Sequence, residues 1–246
     1  MSTSTSDFIN KLSELKKEFK VFLPSFKQEV TARQITLKQQ KDIISTAVNG
    51  VLGALQFSKA VNELIIENVD SDILFTYDRV PALLALRVES LGDKIKLDNG
   101  DIVSLNDSLE RAKDVPKFKL VKKVKIGALK VELRIPSLQE ENVILKRCIQ
   151  EIDKLKSEDL SQAMGLIYIF ELIKTIKSIE IEEEVVDFNE LKVVDRVKIV
   201  EQLPLELYED ITSFLSPVVK YEESILTVNE SIIPIDTSLL DATTSA

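Results

Sequence analysis

The stretch VTARQITLKQQ at residues 30–40 describes a local structure that the chain repeats as VELRIPSLQEE at residues 131–141. In these stretches Thr36 and Ser137 are each followed, three residues later, by a glutamine or a glutamate. This spacing is typical of a capping box, in which the hydroxyl accepts a hydrogen bond from a backbone N–H at the start of a helix. Each copy therefore predicts an extended segment that leads into a capped helix.

The two stretches open a longer internal repeat. Later in each half an Asp-Arg-Val triplet stands in an apolar helical pattern, as LFTYDRVPALLAL at 74–86 and as LKVVDRVKIVEQL at 191–203. The common order predicts a repeated block of strand, capped helix, second helix and Asp-Arg-Val helix. We assign the extra length of the second half to a helix at 158–180 and to the acidic run at 180–187. The alternative is that helices with the same kind of cap share a period without duplication.

The composition favours helices over a turn-rich sheet protein. Of the 246 residues only 6 are glycine and 7 are proline. Between the halves, IKLDNGDIVSL at 95–105 has the Asp-Asn-Gly signal of a hairpin, and 117–126 and 129–135 have the character of strands. We expect an α+β, predominantly helical fold with two quasi-repeated strand–helix–helix–helix halves around a small antiparallel sheet of about four strands.

These patterns divide the chain into five segments. A Ser/Asp cap followed by apolar residues at helical spacing predicts an amphipathic helix at the N-terminus. Near the C-terminus SILTVNESIIPID predicts an edge strand in which Pro234 blocks further pairing. The predicted segments are an N-terminal helix (1–20), a first helical half (21–92), a central hairpin and sheet (93–130), a second helical half (131–220), and an edge strand with a polar tail (221–246).

Charge and hydropathy exclude several classes of protein. The formal net charge is −9, which argues against nucleic acid as a partner because a phosphate backbone needs basic contacts. The most apolar run, GLIYIFELI at 165–173, is about half the length of a membrane span, so no membrane partner is expected. A single cysteine, Cys148, excludes an internal disulfide framework.

The residues that usually carry catalysis are missing from the sequence. The chain has no histidine, so it lacks both the commonest general base and the commonest transition-metal ligand. Cys148 lies on an apolar helical stripe and is interpreted as a core residue. We predict no enzymatic activity, no cofactor and no metal site; the alternative, an enzyme with a carboxylate-bound metal, would use the acidic run at Glu182, Glu183 and Glu184.

Two further patterns concern contacts, namely a basic strand and the two Asp-Arg pairs. Lysines at 117, 119, 122, 123 and 125 form one basic strand, which is interpreted as an edge protected against aggregation or as a contact for DNA or an acidic partner. Adjacent helical residues point about 100° apart, so the two Asp-Arg pairs are predicted to be structural ties to other elements. Those pairs are Asp78 with Arg79 and Asp195 with Arg196.

The N-terminal helix offers a candidate surface for partners. Its apolar stripe consists of Phe8, Leu12, Leu15 and Phe19. An amphipathic helix of this kind either contacts another protein or packs onto its own core. The sequence is compatible with both interpretations.

The run LPSFKQEVTARQITLKQQKDII, followed by DILFTYDRVPALLALRVESLGDKI, resembles the baseplate hub assembly proteins of T4-like bacteriophages. In that family a Leu-Pro-Ser opening leads through a strand with Arg into a Thr-Leu-capped helix, and an Asp-Arg pair precedes a helix that ends in a Leu-Arg, Ser and Gly pattern. The matching positions are Leu23, Pro24, Ser25, Arg33, Thr36, Leu37, Asp78, Arg79, Leu86, Arg87, Ser90 and Gly92. The second half of the family pattern is matched by KVELRIPSLQEE, which contains Arg134 and Ser137, and the resemblance spans residues 22–215.

The resemblance implies a non-enzymatic viral protein that promotes assembly of the baseplate hub of a contractile tail through protein–protein contacts. It acts either as a chaperone-like assembly factor or as a stoichiometric subunit of the virion baseplate. Its partners are then other hub or tail proteins, with a homo-oligomer left open, and its place is the host cytoplasm during assembly or the virion baseplate. Relatives often carry cysteine pairs after the Gly pattern as a metal knuckle, but this chain has KLDNGDIV there, so no metal role is carried over.

Overall fold

The first half of the chain begins with a β-hairpin and continues as helices. The computed structural model describes residue 12 and residues 17–46, 50–97, 99–155, 160–228 and 230–240. Strands β1 (Glu18–Leu23) and β2 (Gln28–Arg33) pair antiparallel and are followed by α1 (Leu37–Ile44), α2 (Val51–Asn68), a 3-10 turn (Thr76–Asp78) and α3 (Arg79–Leu91). An isolated antiparallel bridge joins Ala32 to Val69, so the chain after α2 returns to the edge of β2.

A short middle section separates the halves. Strands β3 (Lys94–Lys96) and β4 (Ile102–Ser104) form a two-stranded hairpin, which is followed by the one-and-a-half-turn helix α4 (Asn106–Arg111). The predicted hairpin at 95–105 is thereby confirmed. The predicted single central sheet is wrong, because this hairpin pairs with no other strand among the described residues.

The second half repeats the order of the first and adds two strands after its second helix. Its elements are β5 (Val121–Ile126), β6 (Leu129–Arg134), α5 (Leu138–Ile152), α6 (Leu160–Thr175), β7 (Ile176–Ile181), β8 (Glu184–Asp187), a 3-10 turn (Phe188–Glu190) and α7 (Val193–Val200). The four strands form one antiparallel sheet in the order β5-β6-β7-β8. The pairing of β7 with β6 corresponds to the bridge between Val69 and β2 in the first half.

The C-terminal part of the chain ties the halves together. Helix α8 (Glu206–Leu226) packs against the second core through Leu207, Ile211, Phe214 and Val218, and against the first core through Tyr221 and Ile225. It is followed by β9 (Thr227–Val228), β10 (Ser231–Ile232) and a 3-10 turn (Thr237–Leu240) whose last two leucines are buried in the first core. Residues far apart in sequence thus complete the core of the first half.

The structure corrects three sequence predictions. The helix expected over 158–180 ends at Thr175, and the residues after it form the β7–β8 hairpin, which includes the acidic run. The predicted C-terminal edge strand is a separate two-stranded hairpin, β9–β10. Phe19, expected on the N-terminal helix, lies in β1 opposite Ala32, because its alternating neighbours are buried against the first core.

Both predicted capping boxes are confirmed. The Thr36 hydroxyl accepts from the Gln39 N–H at 3.2 Å, and the Gln39 side chain accepts from the Thr36 N–H at 2.9 Å. Ser137 and Glu140 make the same reciprocal pair, at 3.2 and 3.1 Å. The fold class, α+β and predominantly helical, is likewise confirmed.

We expect Thr36→Ala and Ser137→Ala each to lower the free energy of unfolding by about 1 kcal/mol, because each leaves a helix-start N–H without its acceptor. Urea denaturation followed by circular dichroism measures the loss. Thr212→Ala, in the middle of α8, is the control and should change stability by less than about 0.5 kcal/mol. Unchanged stability in both cap variants would contradict a stabilising role for the caps.

Candidate functional site at the junction of the two halves

Backbone hydrogen bonds join the two halves where the second capped helix begins. The Leu138 N–H donates to the Leu74 carbonyl at 2.7 Å, and the Thr76 N–H donates to the Pro136 carbonyl at 3.1 Å. Phe75 and Ser137 form an isolated antiparallel bridge between these two bonds. The extended segment before the first Asp-Arg pair is therefore fixed to the start of α5.

A buried polar cluster lies beside this backbone junction. Arg79, at the start of α3, forms an ion pair with Glu141 of α5 and donates through Nε to the Asn62 amide oxygen of α2 at 2.9 Å. The Asn62 amide nitrogen donates to Glu141 at 2.8 Å, and Lys174 of α6 donates to the other Glu141 oxygen at 2.8 Å. Glu141 is only 4% exposed at its side chain, so its carboxylate depends on these three partners instead of water.

Two more carboxylates balance the positive charges of the cluster. Glu171 of α6 accepts from Lys174 at 2.6 Å. Burial lowers the pKa of Lys174 and of Arg79, and the neighbouring carboxylates oppose both shifts. Burial raises the pKa of Glu222 on α8, and the positive charges of Arg79 and Lys174 oppose that rise. Each of the two cations therefore has carboxylates close to it within the protein, which suits a structural lock better than acid–base catalysis.

This cluster was not predicted from the sequence, although the sequence contains one signal for it. Glu141 stands on the buried stripe of α5, between Leu138 and Leu145, where an apolar residue is expected. A charged residue on a buried stripe needs a partner, and that requirement points to basic residues on other helices. Which helices these are follows only from the packing.

A surface groove of about 460 Å³ opens at the same junction. Its walls come from both halves, and apolar atoms supply most of their exposed surface. The lining residues include Asp72, Ile73, Phe75, Leu120, Val121, Arg134, Ile135, Ser137, Gln139, Glu140 and Lys177. We call it the junction groove. Ile73, Leu120 and Val121 are 51%, 46% and 45% exposed, so the groove presents apolar side chains to its surroundings.

Two polar atoms in the junction groove lack partners within the described residues. The buried Nε of Arg134 and the buried Oε1 of Gln139 make no hydrogen bond there. The two terminal nitrogens of Arg134 are engaged, one with Glu140 at 2.8 Å and the other with the Asn189 amide oxygen at 2.6 Å. Buried polar atoms without a protein partner are uncommon in native structures, and an ordered water usually satisfies them.

A comparison with protein-family models decides the family. The model of the T4 bacteriophage base plate protein family matches residues 16–229, which is most of the chain. The chain belongs to this family. No curated protein and no solved structure is significantly similar to it. The T4 base plate family assigns the chain a structural or assembly role in the phage baseplate, where its partners are other baseplate proteins.

The positions that carry the sequence resemblance in the first half hold that half together. The Ser25 N–H donates to Asp78 at 2.9 Å, so the Leu-Pro-Ser turn is tied to the Asp-Arg pair. The Ser90 hydroxyl accepts from the Ile35 N–H at 3.1 Å. Gly92 ends α3 at a φ of +93°, a conformation that favours glycine. The family pattern therefore specifies the packing of this half.

The two Asp-Arg pairs differ in environment. Asp78 is fully buried and accepts from two backbone N–H groups, and burial raises its pKa while those hydrogen bonds oppose the rise. Arg79 binds α2 and α5, so the first pair ties other elements together as predicted. The Asp195 carboxylate pairs with Lys198 on its own helix, at 3.7 Å, and Arg196 donates to the nearby Leu191 carbonyl at 3.1 Å. These bonds of the second pair therefore join residues that are close together in sequence.

The remaining predicted site residues are spread over the molecule. Arg33 is exposed at the end of β2 and pairs with Glu18 at 3.4 Å, far less buried than its counterpart Arg134. Phe8 and Leu15 of the N-terminal stripe lie outside the described residues, Leu12 is half exposed, and Phe19 packs against the first core. The stripe as a contact surface stays a prediction.

The cysteine and the acidic side chains do not combine into a metal site in the part of the chain that the structure describes. Cys148 is buried in the second core, and burial raises the pKa of its thiol to about 12. Across the described ranges, no three His, Cys, Asp or Glu side chains lie close enough together to hold a metal ion. None of the helices there combines the length and hydropathy of a membrane span.

Proposed function

We propose that the chain promotes assembly of the baseplate hub by binding other hub or tail proteins at the junction groove, in the host cytoplasm. The observation that carries this proposal is the groove itself, which exposes apolar side chains from both halves and is also lined by charged side chains. Exposed apolar area with a few polar anchors is the usual composition of a protein–protein contact. Membership of the base plate family supports a partner from the same particle.

The lining of the groove indicates the chemistry of the partner. An apolar side chain would cover Ile73 and Leu120, while polar groups around it would meet the charged side chains of Asp72 and Lys177 in the lining. Because the groove is formed by both halves, a bound partner would also hold the halves in their present arrangement. This is the kind of contact expected of an assembly factor.

A second candidate is a stoichiometric structural subunit of the virion baseplate, which the family membership supports equally. The two roles differ in where the protein is found after assembly. Mass spectrometry of purified virions should find stoichiometric copies if the chain is a subunit, and only traces if it acts as a chaperone-like factor. The N-terminal stripe with Leu12 is proposed as an additional contact in either role.

We expect Ile73→Glu to reduce capture of hub proteins from infected cells at least about tenfold, because it places a charge in the apolar contact. Capture by the tagged chain is quantified by mass spectrometry for named baseplate proteins. Val219→Glu is the matched control, since Val219 is 48% exposed on α8 and outside the groove lining. Equal capture of hub proteins by Ile73→Glu and the unaltered chain would refute the groove as the binding site.

A further inference from the structure

The four-stranded sheet has two open edges. Strand β5 pairs only with β6, and β8 pairs only with β7, among the described residues. The backbone groups of 121–126 and 184–187 form no further backbone hydrogen bonds there. An open edge is a template for another strand, and proteins that remain monomeric usually block it.

The two edges carry opposite charges. Along β5 the exposed lysines are Lys123 and Lys125, and Lys123 is 83% exposed at its side chain. The turn into β8 and its first residue are Glu182, Glu183 and Glu184, all exposed. Lys125 and these three glutamates form no salt bridge with any other residue of the described ranges. Each edge therefore offers charges that its own molecule leaves uncompensated.

These charges select one mode of edge pairing. Two β5 edges would place lysine against lysine, and two β8 edges would place glutamate against glutamate, and like charges on paired strands are destabilising. A β5 edge against a β8 edge brings opposite charges together. Because all strands of the sheet alternate in direction, β5 and β8 run opposite ways, so this pairing also continues the antiparallel pattern.

A register follows from the existing rows of the sheet. Val124, Val131, Ile179 and Val186 form one row across the four strands on its core-facing side. If this row continues into a second molecule, Val186, which is 36% exposed, meets the Val124 position of that molecule. The neighbouring rows then place Asp187 opposite Lys123 and Val185 opposite Lys125, on the face that carries both lysines, while Glu184 adds negative charge at the other face of the same edge.

We propose that the chain binds a second copy of itself by joining its basic β5 edge to the acidic β8 edge of the next molecule. The contact is heterologous, so repetition closes a ring or extends a chain, and it does not form a two-fold dimer. It stands apart from the proposed assembly role, because it is tested on the purified chain alone. A negative result here leaves hub-protein capture at the junction groove untouched.

Two charge-reversed variants test the proposal. Lys123→Glu/Lys125→Glu makes both edges acidic, and Glu184→Lys/Asp187→Lys makes both edges basic. Sedimentation velocity over a range of concentrations and salt should show that the unaltered chain self-associates, more weakly at high salt. Each variant alone should associate at least about tenfold more weakly, and an equimolar mixture should regain association, because its junctions again pair opposite charges.

The mixture also separates lost contacts from lost folding, since misfolded variants cannot restore each other. Lys38→Glu/Lys220→Glu is the control; it makes the same change in net charge at exposed lysines outside the sheet and should leave association unchanged. A monomeric unaltered chain at about 100 μM, well above the Kd of a typical weak contact, would overturn the proposal. So would either charge-reversed variant that associates as the unaltered chain does, or a mixture that stays monomeric.

Discussion

Glu141→Gln is expected to lower the free energy of unfolding by about 3–5 kcal/mol, the usual cost of removing one partner from a buried ion pair. The substitution keeps the shape of the side chain but removes the carboxylate that forms ion pairs with both Arg79 and Lys174. Those two cations would then remain in the interior with reduced compensation, since Glu141 is almost wholly buried. Urea denaturation followed by circular dichroism measures the change.

Glu151→Gln is the matched control on the same helix. Glu151 also pairs with two basic residues, Arg147 and Lys154, but its side chain is 28% exposed and its partners are more exposed still. Exposed pairs of this kind contribute less than about 1 kcal/mol. If Glu141→Gln cost no more than Glu151→Gln, the cluster would not be the lock between the halves.

A double variant refines this test. Adding Lys174→Met to Glu141→Gln removes one of the stranded cations, and an apolar replacement in a buried site is often neutral or stabilising. We expect the double variant to recover part of the stability lost by Glu141→Gln. If the loss of stability in the double variant equalled the sum of the losses in Glu141→Gln and Lys174→Met, the two residues would not interact.

The capping boxes were predictable because their rules are local. A hydroxyl and a glutamine or glutamate three residues apart have their partners within one turn, whatever the rest of the chain does. The environment beyond that turn was not predictable. Leu37 and Leu138 follow the same cap, yet Leu37 is 85% exposed and Leu138 is fully buried. The difference arises because residues 74–76 cover the second cap, a contact between positions far apart in sequence.

The boundary between α6 and β7 was also not predictable from local sequence. Strand β7 follows the apolar helix α6 without a turn residue, so the helical period runs directly into the strand alternation in LIYIFELIKTIKSIEI. For this reason the prediction from periodicity alone placed the end of the helix beyond Thr175. The structure places the boundary there because Ile176 and Ile179 pair with β6, more than 40 residues earlier in the chain. Only the packing of both halves decides such a boundary.

Arg87→Met is expected to lower the free energy of unfolding by about 3 kcal/mol, because it leaves several buried carbonyls without donors at about 1–3 kcal/mol each. Arg87 is fully buried. Its guanidinium donates to the backbone carbonyls of Leu239 at 2.7 Å, Gly92 at 2.5 Å and Lys94 at 3.2 Å. It thereby joins the end of α3, the start of β3 and the C-terminal turn. Methionine fills similar space but supplies no donor, so the loss isolates the hydrogen bonds.

The effect of Arg87→Met should also be local, which distinguishes it from general destabilisation. With the Leu239 bond gone, residues 233–240 should be cleaved by protease at conditions where the rest of the chain remains intact. Arg33→Met is the control, because Arg33 is exposed and its single ion pair with Glu18 is worth less than about 1 kcal/mol. Protection of the C-terminal turn equal to that in the control would contradict the anchoring role of Arg87. Its position in the family pattern would then need a reason other than the fold of the first half.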